Sequence, residues 1–565
     1  MGHSSQYGPF MDSINEISNR FVEDRVRLSP MTATELGHDV RQDELDDFSP
    51  DGLSALQETV KSSLAAARSA ELHGPGDESA AATFIERNQL HSEMFEAGLG
   101  HANLNVIASP VQEVRQIFDM MATETNDDWA LIARRMAAVP QALAGYRRSL
   151  VHGADHGVVS AVRQIAKCAE QCDTWAGVTG NTPFFHDLAA RAGRDGALGE
   201  TLSSGATAAS EAYGQLGAFL RNDLAPRAPH RDAVGEQTYR LQSRYFTGAT
   251  LDLQESYDWA WEEFAGIEAE MQRVAGRLRP GMSLAETAES LDADPAYRIT
   301  SQAALRDWMQ SLSDGAVAAV RDVHFDIPDE IITLECHIAP PGGGLGAYYN
   351  PPSDDLSRPG SMWWKVMADS NDFASWRETT TVYHEGVPGH HLQMATQVYA
   401  KDTLNDFQRL MSFTSGHGEG WALYAERLML ELGFLDDDGD LLGLLDSQLF
   451  RTARVIIDIG MHLELVIPRG SGFHPGERWT PDLGLEFLLT RTLSEPQHAR
   501  DEVDRYLGWA GQAPAYKLGE RVWLAARAEA MARHGAGFDL RAFHTAALNL
   551  GGMGLDPLVD QLAKL

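Results

Sequence analysis

The chain has 565 residues, 43% of them hydrophobic, which is enough for a large buried core. Its 46 basic residues against 81 acidic ones give a formal charge of −35, and such a polyanion repels phosphate backbones, so nucleic acid is excluded as the expected partner. No run of about 18 apolar residues is present to span a membrane.

The opening stretch, MGHSSQYGPFMDSINEISNRF, lacks a basic start followed by an apolar core, so no signal peptide is expected. Helical stripes then recur near 52–70, 127–150 and 158–172. Cys168 and Cys172 stand one turn apart within the last of these. With Cys336 they make only three cysteines, too few for a disulfide framework. They are expected to be buried thiols in a cytoplasmic protein. The segment LAPRAPHRDAVGEQ, 224–237, contains Pro226 and Pro229 and has no periodicity. It is expected to connect a helical half, 1–235, to a second half, 236–565.

The second half opens with another helix, in which Trp261, Phe264, Met271, Val274 and Leu278 recur at helical intervals. The stretches 330–340, 346–354 and 361–369 break the pattern, being rich in β-branched and aromatic residues with Pro and Gly between them. The fold class predicted is therefore mainly α, with one small β-sheet just before the segment HEGVPGHH, 384–391.

That segment nearly matches the zinc-helix pattern H-E-x-x-H, but the fourth position after His384 is Pro388. On a regular helix His384 and His391 share a face yet lie roughly 10 Å apart along the axis. His390 points about 120° away from His384. Zinc–nitrogen bonds of about 2.0–2.1 Å cannot join either pair. Pro388 removes a helix donor and crowds the carbonyl of His384, and Gly386 and Gly389 flank it, so a widened, π-like turn is expected. Looping out two residues brings His390 to the metal, the expectation here; looping out three brings His391, the alternative. Glu385, beside the first ligand, takes the general-base position.

A tetrahedral site needs a third protein ligand. Glu419, 29 residues after His390 in SGHGEGWALYAERL, follows two glycines that let a helix start approach the metal, and is the expected third ligand. Glu426, two turns later on the same face, is expected to bond a ligand histidine or form a surface ion pair. His417 is a substitute ligand.

HEGVPGHHLQ together with GEGWALYAE resembles the bacterial domain-of-unknown-function family 885, and through it the gluzincin metallopeptidases. SPMTATELG (29–37), VGEQTYRL (234–241), YYNPPSD, RPGSMWW, RVIIDIGMH (454–462) and GQAPAYKLG (511–519) extend the likeness along nearly the whole chain. The resemblance implies a large two-lobed, zincin-like helical fold around a deep channel, with the first half as wall or lid. It implies one zinc per chain held by His384, His390 and Glu419. The departure is the spacer: most gluzincins place two residues between the Glu and the second His, dipeptidyl peptidase III-like enzymes three, and this chain four. Tyr516 is the expected oxyanion donor, because related peptidases place a Tyr there from a late helix; Lys517 is the alternative source of charge. The strand 361–369 is expected to offer its edge to an extended peptide. Arg454, Asp458 and His462 line one helix face, where Arg454 and His462 are read as substrate-binding.

The function expected is zinc-dependent hydrolysis of peptide bonds, by an oligopeptidase or exopeptidase acting on a peptide partner. The alternatives are a zinc hydrolase of a non-peptide amide or ester, and a non-catalytic peptide-binding protein on the same scaffold.

Overall fold

A computed structural model of the chain describes residues 12–339, 346–367 and 370–565. Residues 1–11, where the reading of the opening stretch begins, lie outside the described residues. So do residue 340 and residues 368–369, which end two of the strand-rich stretches.

Each periodic stretch folds as a helix. The first three form α1 (Pro50–Ser69), α2 (Asn126–Asp155) and α3 (Val162–Ala176). Helix α2 starts where Thr125 caps it, its hydroxyl accepting from Asp128 N–H while the Asp128 carboxylate returns the bond. With α4 (Gly196–Phe219) these helices build a core whose buried members all lie between Met31 and Leu224. Cys168 and Cys172 are buried in it as free thiols, as expected, and burial pushes Cys168 up to about 12.

The second half has two further large cores. Helix α5 (Leu253–Leu278) buries Phe264, Met271 and Val274, with Trp261 and Leu278 at the margin of the same core, so the apolar stripe read from sequence is its packing face. Burying each of these side chains contributes about 1.5–3 kcal/mol. The amino-terminal helices share a further core with Phe407, Ile14 to Phe84 packing against it, so the start of the chain docks on the second half.

Five short strands are present among the described residues, β1 (Arg298–Ile299), β2 (Leu334–Ile338), β3 (Gly346–Asn350), β4 (Gly360–Lys365) and β5 (Phe373–Ala374). β1 and β5 pair with each other, and the three-stranded sheet has the order β2-β4-β3, with β4 parallel to β2 and antiparallel to β3. Its inner face, Leu334, Cys336, Met362 and Trp364, packs on Leu305 and Met309 of α6 (Gln302–Val320) and on Val382 of α7 (Ser375–Glu385). The small sheet thus sits against the helix that carries His384, as the sequence predicted. One expectation is corrected. The strand 361–369 was to offer its edge to a peptide, but β4 is the central strand and its ladder groups are taken on both sides. The edge strand antiparallel to it is β3.

No helix among the described residues is long and apolar enough to cross a membrane.

Candidate metal centre

The segment HEGVPGHH widens by breaking the helix, not by a π-like bulge within one continuous helix. Helix α7 stops at Glu385, and a separate helix, α8 (His390–Tyr399), begins at His390. Pro388 cannot donate a helix bond. Gly389 N–H instead reaches back six residues to the Tyr383 carbonyl (3.0 Å), and His391 N–H bonds the Gly386 carbonyl (3.1 Å). The link demands glycine at 389: a Cβ there would lie 1.9 Å from the His384 carbonyl oxygen and 2.5 Å from that of Tyr383. The indole N–H of Trp421, on α9 (Ser415–Glu431), donates to the carbonyls of Pro388 (2.8 Å) and Gly389 (3.2 Å), fixing the link to the next helix.

The break turns two mismatched imidazoles toward each other. The rings of His384 and His390 lie 4.8 Å apart between centroids and nearly perpendicular, at 85°. Glu419 from α9 completes the group: donor atoms of His384, His390 and Glu419 all lie within 4.8 Å of one another. Glu419 Oε2 is 3.3 Å from His384 Nε2 and 3.4 Å from His390 Nε2, yet neither approach has hydrogen-bond geometry and the oxygen is buried without a partner. Bonds of about 2.0–2.1 Å in a tetrahedron give ligand–ligand edges of about 3.3–3.4 Å. Two imidazole nitrogens and a carboxylate oxygen at that spacing fit a divalent metal ion. The adjacent imidazoles outweigh burial and hold Glu419 well below the usual carboxylate range.

Glu426, fully buried on the same helix, fixes the first ligand. Its Oε1 lies 2.7 Å from His384 Nδ1, and its Oε2 accepts a 2.7 Å hydrogen bond from the Thr380 hydroxyl. Nδ1 thus points at a carboxylate and leaves Nε2 for a metal. Burial alone would lower His384, but Glu419 and Glu426 raise it to about 9. Burial also raises Glu385, against the opposing pull of His390 and His384.

Helix α12 (Ala515–His534) crosses α9 with backbone in contact. A Cβ on Gly420 would sit 2.4 Å from the Gly519 carbonyl carbon, and one on Gly519 only 2.0 Å from the Gly416 carbonyl oxygen. Gly420, just after Glu419, therefore admits α12, while the two glycines before it, Gly416 and Gly418, make room for Leu555 with the Thr247 carbonyl and for the Phe413 ring. This crossing brings Tyr516, one turn before Gly519, toward Glu419. Burial raises the Tyr516 phenol first, and the Glu419 charge adds to it.

Beneath Tyr516 runs α10 (Asp438–Leu463). The Arg454 guanidinium stacks 4.6 Å from the Tyr516 ring centroid and pairs with Glu502 at 3.0 Å; Glu502 lies on α11 (Pro496–Gly508) and also binds Arg505 and the Tyr506 hydroxyl. Arg451, three residues before Arg454, was not singled out from sequence, although extending the Arg454–Asp458–His462 series backward along the same face reaches it. Its charge acts on Glu385, Glu426 and Tyr516 alike.

Other expected residues lie elsewhere. His391 has one ring nitrogen on the Ile331 carbonyl (2.9 Å) and the other on the Tyr349 hydroxyl (2.9 Å), so the alternative ligand is spent. His417 accepts from Met553 N–H and is not in the metal group. Lys517 is buried against Glu520, Gln448 and Glu263, away from any oxyanion role. His462 is fully buried, with Nε2 on the Tyr506 carbonyl (3.0 Å) and Nδ1 accepting from Val234 N–H (3.3 Å), so neither ring nitrogen is left for a substrate.

The family described as a bacterial protein of unknown function (DUF885) matches residues 30–562. No functionally curated protein matches the sequence. Among solved structures, a candidate lipoprotein from Colwellia psychrerythraea aligns over 98% of both chains with a TM-score of 0.84 at 20% identity. A candidate lipoprotein of unknown function from Shewanella oneidensis aligns over 97% of this chain and 99% of its own, with a TM-score of 0.73 at 18% identity. At these identities the likeness establishes the fold alone. A Pyrococcus furiosus carboxypeptidase aligns with a TM-score of only 0.37 at 11% identity, too low to carry an inference.

Proposed function

We propose that this chain, which belongs to the bacterial family of unknown function DUF885, is a zinc-dependent hydrolase of peptide bonds. The observation that carries the reading is the buried, unbonded Glu419 oxygen held between two imidazole nitrogens at ligand-edge distances. A buried carboxylate oxygen without a partner is costly, and a metal ion removes that cost.

His384, His390 and Glu419 would hold one zinc ion per chain. A zinc ion bound there supplies a Lewis acid and a water of lowered pKa. Glu385, adjacent to the first ligand and raised by burial, accepts a proton from water and returns it to the leaving amine. The Tyr516 hydroxyl forms no hydrogen bond among the described residues and donates to the oxygen that gains charge during attack. An extended peptide, reaching the site by the channel that the gluzincin resemblance implies, pairs with β3 rather than with β4. The presence of Glu385 argues against a non-catalytic binding role.

Cytoplasmic residence is the reading for a chain whose three cysteines are buried and unpaired. The lipoprotein descriptions of the two similar structures set an envelope location as the alternative, which cell fractionation separates.

The test of function is metal content and peptide hydrolysis together. The purified chain is expected to carry close to one zinc, and Glu385→Gln to keep it while hydrolysis falls by about 10²–10⁴-fold. Hydrolysis unchanged in Glu385→Gln would sink the assignment of the base, and a chain that takes up no zinc would sink the whole reading.

A further inference from the structure

Ser447, Arg451, Arg454, Asp458 and His462 follow at three- or four-residue steps and share one face of α10. Arg454, Asp458 and His462 are each bonded to a neighbouring element, although Asp458 Oδ1 has no hydrogen-bond partner. Arg454 has Glu502, Asp458 accepts from the Tyr239 hydroxyl (2.6 Å) and Gly511 N–H (2.9 Å), and both nitrogens of His462 are bonded. Arg451 bonds only Ser447, through its carbonyl (3.3 Å) and its hydroxyl. Its Nε is buried without a partner, and no carboxylate lies within 4.0 Å of it among the described residues.

Three guanidinium groups, Arg451, Arg454 and Arg505, act on Tyr516; Glu502 pairs directly with Arg454 and Arg505, while Arg451 acts on Glu385, Glu426 and Asp446 without an ion-pair contact among the described residues. The Arg451 guanidinium is partly exposed with no anion in contact, and its flat fork matches a carboxylate. A peptide substrate brings one carboxylate at a fixed distance from its last peptide bond. Two carboxylates beside the metal group are not free to hold a peptide's amino terminus instead: Glu419 faces two imidazoles and Glu426 bonds His384 and Thr380.

We infer that Arg451 anchors the α-carboxylate of a peptide substrate, so that the enzyme releases residues from the carboxyl end. The inference rests on the peptidase reading above and adds direction to it. A merely structural Arg451 would balance the charges of Glu385 and Glu426, and the experiment separates the two roles.

The zinc-loaded full chain is given a library of N-acetylated pentapeptides, each as a free acid and as a C-terminal amide, with a subset of amides ending in Glu. The free acids are expected to show kcat/KM at least about tenfold above their amides, as befits a charge-assisted anchor. Arg451→Gln is expected to bring that ratio near one with zinc content unchanged, and Arg451→Lys to restore part of it. The Glu385→Gln protein is expected to bind a free acid at least about tenfold more tightly than its amide by calorimetry. Equal turnover of acids and amides by the unaltered enzyme overturns the inference, needs no variant, and leaves the peptidase reading intact. So does an equal loss on both forms in Arg451→Gln, which assigns charge balance instead. Amides ending in Glu performing as well as free acids transfer recognition to acidic side chains and also overturn it. No cleavage of any peptide by zinc-loaded protein removes the peptidase reading and the inference with it.

Discussion

Glu426→Ala is the most direct probe of how the centre is built. Glu426 touches no metal position, but its two oxygens hold His384 Nδ1 and the Thr380 hydroxyl, each at 2.7 Å and each in a fully enclosed environment. Truncation removes a charge-assisted hydrogen bond, worth about 1.5–3 kcal/mol, and leaves two buried donors without an acceptor. It also frees the imidazole to rotate and to present the wrong nitrogen. Partners of this kind typically set metal affinity by about 10–100-fold, or about 1.4–2.7 kcal/mol. Glu426→Ala is therefore expected near the upper end of that range. Glu426→Gln, which keeps an acceptor but loses the charge, is expected near the lower end. Competition titration against a chromophoric zinc chelator at fixed pH measures both, with far-ultraviolet circular dichroism confirming the fold. An Ala variant whose zinc affinity stays within about threefold of the parent would refute the reasoning, because His384 would then be oriented by something other than Glu426.

His390→Ala is expected to lose zinc while His391→Ala keeps it, since His391 is bonded to Ile331 and Tyr349; metal analysis of the two purified variants decides between them. Gly389→Ala places a methyl group 1.9 Å from the His384 carbonyl, so it is expected to abolish zinc binding and lower the melting temperature, with loss on both counts needed to support the described link. Burial pushes His91 down to about 4, so its neutral form is favoured in the folded chain. The unfolded chain then binds the extra proton first, and stability should fall as pH drops from about 6.5 toward 4, by up to about 1.4 kcal/mol per pH unit for this one group; a urea midpoint series on His91→Gln, with a flatter slope than the parent, checks it.

What the sequence disclosed depended on how far apart the cooperating residues lie. Phe264, Met271 and Val274 declare the packing face of α5 because the helical period is local, and α5 buries that face. His384, Glu385 and His390 were legible for the same reason: they occupy seven consecutive positions around a residue that cannot donate. Even there the local rule gave the right pair by a different route. A Pro between two glycines was read as loosening one helix, whereas the chain ends one helix and starts another, since Gly389 without a side chain can lie against the His384 carbonyl. Glu419 and Glu426 could be chosen because a helix face fixes which carboxylates travel together. Their distances to His384 belong to the packing of α9, and the Gly420–Gly519 contact that carries Tyr516 toward them joins segments about a hundred residues apart. Pairing across such a gap leaves no periodic trace. His462 and Arg451 mark the limit most plainly, for they sit on one face of one helix and are indistinguishable by spacing. The first meets a carbonyl from α11 and a backbone N–H from the 224–237 connector, and is sealed. The second meets no carboxylate within ion-pair distance among the described residues, and spacing alone could not tell the two apart.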